Sequence, residues 1–212
     1  MTADPVADSV AESAAGFVIG RRSPAAAYSD RFAAASAGGA IRLAEIPFLT
    51  HLNVRADPAS PAAERIGTAL GVPLPVEPGV VTEGGGLSVL WLGPDEWLVV
   101  GPDGAARELR ERIRGAAAGE HVSVVDVSAQ RTTLVVAGER ARDVLAHGCA
   151  LDLHPREFGP GRCAQTLLAR TGVVLVAKED GFWVLVRSSF AAYAAEWLLD
   201  AVVEYTAVEC RG

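Results

Sequence analysis

The sequence has three cysteines, Cys149, Cys163 and Cys210, and no C-x-x-C pair. An odd count without close pairing excludes a disulfide framework and suits a reducing compartment. No run of about 18 apolar residues is present, so no membrane-spanning helix is expected. The N-terminus carries Asp4, Asp8 and Glu12 in place of a basic start and an apolar core. It is therefore not read as a signal peptide, and a cytoplasmic location is expected. There is no basic block interleaved with aromatics, and the net charge is −7, so no nucleic-acid partner is expected. The motif inventory is equally bare. There is no G-x-S-x-G, so Ser88, His121 and Asp126 form a triad only on paper. No G-x-G-x-x-G opens a helix, and the Gly84-Gly85-Gly86 run lacks the Lys-Ser/Thr of a P-loop.

What is present is apolar material: half of the 212 residues are hydrophobic. A chain of that size can bury a sizeable core and retain apolar surface for a partner. Residues 1–20 read as a disordered or partner-bound tail, and 207–212 as a second tail. Between them the same order of elements occurs twice, over 21–120 and over 121–206. In the first half, an Ala-rich helical stretch at 25–35 precedes extended character over 41–56. A helix over 61–70 follows, with Pro61 at its start and Gly71 at its end. After a Pro-rich loop comes a hairpin over 87–100 and a helix over 105–118. The 107–114 run RELRERIR suits an exposed helix face with pairing between turns. In the second half, extended pieces over 122–137 lead to a helix over 139–147. A loop to Gly161 is followed by extended segments over 162–170, 173–177 and 182–187, then a helix over 190–203. The predicted class is α+β, with two related strand–helix–hairpin–helix units packed as one body.

Two polar stretches could carry chemistry. In DVSAQR, Asp126, Ser128 and Gln130 alternate, and on an extended segment they would share one face beside Arg131. The alternative is that Asp126 and Ser128 satisfy backbone groups at a turn between strands. The second stretch, GCALDLHPREFGPGRC, offers Cys149, Asp152, His154, Arg156, Glu157 and Cys163. Two Cys and one His at irregular spacing do not make a zinc set. A Cys–His nucleophile pair is conceivable, although buried cysteines mostly act as small apolar residues. Arg156 and Arg162 could hold an acidic group of a partner, or pair with Asp152 and Glu157.

Four segments together carry a resemblance: LWLGPDEWLVV (90–100), DVSAQRTTL (126–134), GCALDLHPREFGPGRCAQTLLAR (148–170) and LVRSSFAAYAAEWLLDA (185–201). They resemble the gamma subunit family of heterotetrameric sarcosine oxidase. More distantly they resemble the folate-binding domain of the glycine-cleavage T-protein. The resemblance implies a folate-binding (aminomethyltransferase) domain-like fold. It implies partners, the alpha, beta and delta subunits, in a complex that oxidises sarcosine to glycine with hydrogen peroxide. With folate present, that family also yields methylenetetrahydrofolate. It further implies that FAD and FMN lie in or against beta, NAD and tetrahydrofolate sites in alpha and zinc in delta, with no cofactor in this chain. CALDL puts Asp152 where the T-protein has its catalytic aspartate. However, TGVVLVAKED replaces the stretch bearing the paired acids that frame its folate site. A non-catalytic structural subunit is the reading this favours. The alternative is a stand-alone folate-dependent aminomethyl or formyl transferase, with Asp152 orienting the amine.

Overall fold

The structure, a computed structural model, describes residues 20–206. The expected tails, and Cys210 with them, fall outside that range except for Gly20. Strand β1 (Arg42–Ile46) and strand β2 (Thr50–Arg55) come first, preceded by a short helix α1 (Ser29–Ala35). Then follow α2 (Pro61–Leu70), β3 (Val81–Gly84), β4 (Leu87–Gly93), β5 (Glu96–Gly101) and α3 (Ala106–Ala117). The second set is β6 (Ser123–Asp126), β7 (Arg131–Ala137), α4 (Ala141–Ala146), β8 (Cys163–Leu168), β9 (Thr171–Lys178), β10 (Gly181–Arg187) and α5 (Ala191–Ala201). A last helical turn, α6, spans Val203–Thr206.

The strands make two five-stranded antiparallel sheets, ordered β3-β4-β5-β2-β6 and β8-β9-β10-β7-β1. The orders superimpose term by term, so the duplication expected from the sequence is real at the level of topology. The fifth strand of each sheet is exchanged. β1 lies before the first unit yet pairs with β7 of the second, and β6 lies before the second unit yet pairs with β2 of the first. The extended pieces over 41–56 and 122–137 are therefore each two strands belonging to different sheets. The Pro-rich loop before residue 87 also hides a strand, β3. Gly85 and Gly86, with φ of 57° and 79°, form its two-residue turn into β4. Positive φ at both positions matches the twist of a hairpin and favours glycine.

Helices cover the outer face of each sheet, and the inner faces pack together. Side chains alternate faces along a strand. In β5, Trp97 and Val99 point toward α2 and α3, while Leu98 and Val100 enter the seam between the sheets. In β9, Val173, Leu175 and Ala177 face α4 and α5, while Val174 and Val176 enter the same seam. Both faces are buried, so these strands read as continuous apolar runs. At one corner the sheets are stitched by backbone: the N–H of Val81 donates to the Gly161 carbonyl at 2.8 Å, and that of Cys163 to Gly79 at 2.8 Å. Lys178, the only lysine in the chain, pairs with Glu83 across this corner and lies 3.8 Å from the Trp183 ring centre.

Local signals set the helix ends. Ser60 accepts the Ala63 N–H as the N-cap of α2, and Gly71, with φ 73°, closes it in the left-handed region. α2 and α3 are held together by Arg65, which donates to the carbonyls of Ala116 and Ala117 and pairs with Glu120. Because Leu98 is fully buried in the seam, Leu98→Ala should cost about 2–5 kcal/mol. Chemical denaturation followed by tryptophan fluorescence and by circular dichroism should show one shared transition shifted to lower denaturant. Separate transitions for the two probes would mean that the sheets are not one cooperative unit.

Candidate functional site

The segment joining β6 to β7 is a turn. The Gln130 N–H donates to the Val127 carbonyl at 2.9 Å. The expectation that Asp126, Ser128 and Gln130 share one face of an extended strand is thereby corrected. A short side chain two residues before an N–H captures it and bends the chain. Here Asp126 Oδ1 accepts from the Ser128 N–H at 3.0 Å and from its hydroxyl at 2.5 Å. These two bonds, the hydroxyl's first, hold the Asp126 carboxyl below the usual carboxylate range. Ser128 Oγ in turn accepts the His51 N–H of β2 at 3.0 Å. On the other side, the Ser188 hydroxyl and N–H donate to the carbonyls of Ala129 and Gln130 at 2.8 and 2.9 Å. The turn is thus clamped between the first sheet and the entry to α5.

Asp126, Ser128 and Arg131 line a cleft of about 540 Å³ with Arg21, Thr50 and Asp103. Arg21 spans it, donating to both carboxylate oxygens of Asp103 at 2.9 and 2.8 Å while its guanidinium carbon lies 4.0 Å from the Phe48 ring centre. Gln130 turns away and accepts from Arg131 Nη1 at 2.7 Å. The two carboxylates that line the cleft, Asp103 and Asp126, both already accept from partners within the chain.

Beneath the turn lies His51, 1% exposed, with neither ring nitrogen hydrogen-bonded. Burial, reinforced by the charge of Arg131, pushes its pKa down to about 4. The ring is therefore neutral near pH 7. Sequence reasoning passed over His51, although a histidine within the apolar alternation of THLNV is a visible irregularity.

The remaining candidates lie elsewhere. Asp152, His154 and Arg156 sit on the exposed loop between α4 and β8. Asp152 Oδ1 accepts the His154 N–H at 2.9 Å, and His154 Nδ1 accepts that of Arg156 at 3.2 Å. They shape the loop. Its buried anchors are Leu153 and Phe158, and Phe158 stacks on Phe182 at 6.3 Å. Arg142 ties the loop down through the carbonyls of Leu153 and Phe158. Arg162 lies opposite Ala177, which pairs with Phe182 and through it with Val136, toward the far end of β7 from Arg131. Among the described residues, neither Arg156 nor Arg162 forms the ion pair with Asp152 or Glu157 that the sequence left open.

Among the described residues, Cys149 and Cys163 meet no imidazole. Cys149 contacts the Thr166 hydroxyl, and Cys163 points at the carbonyls of Val80 and Trp91. Burial pushes the Cys163 thiol up to about 11, which leaves it a poor nucleophile. Ser88 donates to Glu83, so the paper triad is not assembled. Among the described residues no group of three His, Cys, Asp or Glu side chains could hold a metal ion, and no helix is long and apolar enough to cross a membrane.

Residues 54–204 match the model of the "Sarcosine oxidase, gamma subunit family". The chain belongs to the sarcosine oxidase gamma subunit family. It is 41% identical over 187 residues to sarcosine oxidase subunit gamma of an Arthrobacter species, covering 87% of this chain and 91% of that one. The subunit from Corynebacterium sp. strain U-96 is 40% identical over 193 residues, covering 89% and 93%. The solved heterotetrameric sarcosine oxidase of Corynebacterium sp. U-96, in complex with pyrrole 2-carboxylate, contains a chain similar at TM-score 0.82 and 39% identity, covering 90% of this chain and 99% of that one. The glycine cleavage system aminomethyltransferase T of Bartonella henselae shares the fold alone, with TM-score 0.56 and 18% identity, covering 75% of this chain and 45% of that one.

The buried imidazole gives this gamma-family chain a pH signature. Between about 4 and its ordinary 6.5, His51 binds fewer protons folded than unfolded. Stability should therefore rise with pH across that window and be lost on acidification, by up to about 3 kcal/mol in all. Denaturant midpoints at pH 4.5, 5.5 and 7 should show the slope, and His51→Leu should flatten it. An unchanged slope in the variant would remove His51 from the account.

Proposed function

We propose that this chain is the non-catalytic gamma subunit of a heterotetrameric sarcosine oxidase. Its role is structural: a folded body docks against the larger chains and helps position their folate and flavin centres. The family match carries this reading, and the chemistry of the cleft supports it. Asp103 and Asp126 there accept hydrogen bonds from within the chain, and outside the cleft the Cys163 thiol is buried and Asp152 is an exposed turn residue. On this reading alpha, beta and delta are the partners, FAD, FMN, NAD, tetrahydrofolate and zinc belong to them, and the complex is cytoplasmic. No observation favours the stand-alone transferase.

Affinity-tagged chain co-expressed with the other three subunits should return all four polypeptides with flavin absorbance. In that complex Asp152→Asn should leave sarcosine-dependent peroxide formation and methylenetetrahydrofolate formation within about twofold of wild type. A tagged chain recovered alone, colourless and binding tetrahydrofolate in a manner weakened by Asp152→Asn, would overturn the proposal.

A further inference from the structure

Beside the 126–131 turn, at the same end of the second sheet, three arginines line one cleft of about 640 Å³. Arg131 opens β7, Arg187 closes β10, and Arg170 sits in the two-residue turn between β8 and β9. Arg131 and Arg187 are direct cross-strand partners. Like charges placed opposite each other destabilise a sheet pair. Arg31, Arg42, Arg55 and Arg65 each reach a carboxylate, whereas among the described residues Arg107 and Arg114 on α3 stand apart from any ion pair and from each other on an exposed helix face. Among the described residues, none of the three arginines in this cleft is in an ion pair. Burial and then the charge of Arg187 weaken the hold of Arg131 on its proton, and the charge of Glu96 offsets this only in part.

The rim is apolar and open. Leu167 is 59% exposed and Phe190 is 43% exposed, and both line the cleft. The first turn of α5, which begins beside Phe190, has no side-chain cap and no acidic residue. In a chain of net charge −7 the cleft is a local reversal of sign. Arginine and aromatic side chains are enriched at protein–protein interfaces.

We infer that the cleft of Arg131, Arg170 and Arg187, rimmed by Leu167 and Phe190, is the docking surface for an acidic segment of another subunit of the oxidase. The inference rests on the chain being a subunit of that complex. Carboxylates of the partner supply the counter-charge that this chain withholds. The paired guanidinium forks of Arg131 and Arg187 suit bidentate recognition of a carboxylate.

The test uses the co-expressed four-subunit complex. Arg170→Glu with Arg187→Glu places two acids where the partner's acids should sit, at positions exposed enough for folding to survive. Melting of the isolated variant chain confirms that it folds. The control is Arg107→Glu with Arg114→Glu, two exposed positions on α3 with the same change in net charge. In size-exclusion chromatography across a sodium chloride series, the cleft variant should leave the complex at a salt concentration about tenfold lower than wild type. The control should dissociate as wild type does. A photo-crosslinking amino acid in place of Leu167 should capture a partner peptide that carries Asp or Glu side chains or a C-terminal carboxylate.

Assembly of the cleft variant at wild-type salt tolerance would overturn the inference while leaving the subunit assignment intact. So would equal loss in the control, or a crosslink to a segment without acids or to a second copy of this chain. Normal assembly together with lost thermal stabilisation by citrate would make the cleft a small-anion site, again against the inference. Failure of the wild-type chain to assemble would instead strike the subunit assignment itself.

Discussion

The reciprocal exchange of one strand between the two sheets is the constraint on which the rest of this structure depends. β1 completes the sheet of the second unit, and β6 completes the sheet of the first. Without its borrowed strand each sheet would expose one long side of β2 or β7, whose backbone groups would then need other partners. The exchange also fixes how the two inner faces meet. Leu90, Leu98 and Val100 lie against Val174, Val176 and Leu185 in one buried cluster. The β6–β7 turn is the second crossing between the sheets, which is why its bonds run both to His51 in β2 and to Ser188 before α5. The candidate site and the architecture are thus products of the same crossover.

Much of this was legible in the sequence. Apolar alternation, Pro61 and Gly71, and the turn residues Pro94-Asp95 and Glu179-Asp180 marked the elements of both units. The sheet each strand joins was not legible. When both faces of a strand are buried, as in VVLVA of β9, the inward and outward sets are equally apolar and the pattern that assigns faces disappears. β3 was hidden because VTEG is short and polar and ends in a run of three glycines. DVSAQ was ambiguous for a physical reason: Asp-x-Ser satisfies both a period of two and an Asx turn. The side-chain bond to the Ser128 N–H decides for the turn.

The site shows the same division. Asp126, Ser128 and Arg131 are close in sequence and fall in one cleft. Arg170 and Arg187 are distant and reach Arg131 only through the β7–β10–β9 register. Asp152, at the motif position of the resemblance, lies on an exposed loop where its carboxylate accepts the His154 N–H. A fold shared with an aminomethyltransferase does not carry its activity, because activity belongs to a site. Here, among the described residues, the unpaired guanidinium groups of Arg131, Arg170 and Arg187 share one surface cleft. That distribution is what a subunit held by its neighbours would need.

The most direct test of this account is to cut the chain between residues 120 and 121 and study the halves separately and together. If strand exchange makes them one body, neither half alone should show a cooperative melt or slow amide exchange in its sheet. Co-expression should restore both, with β1 and β6 protected as strongly as β7 and β2. A half that unfolds cooperatively on its own, with native-like protection of its four remaining strands, would contradict the account.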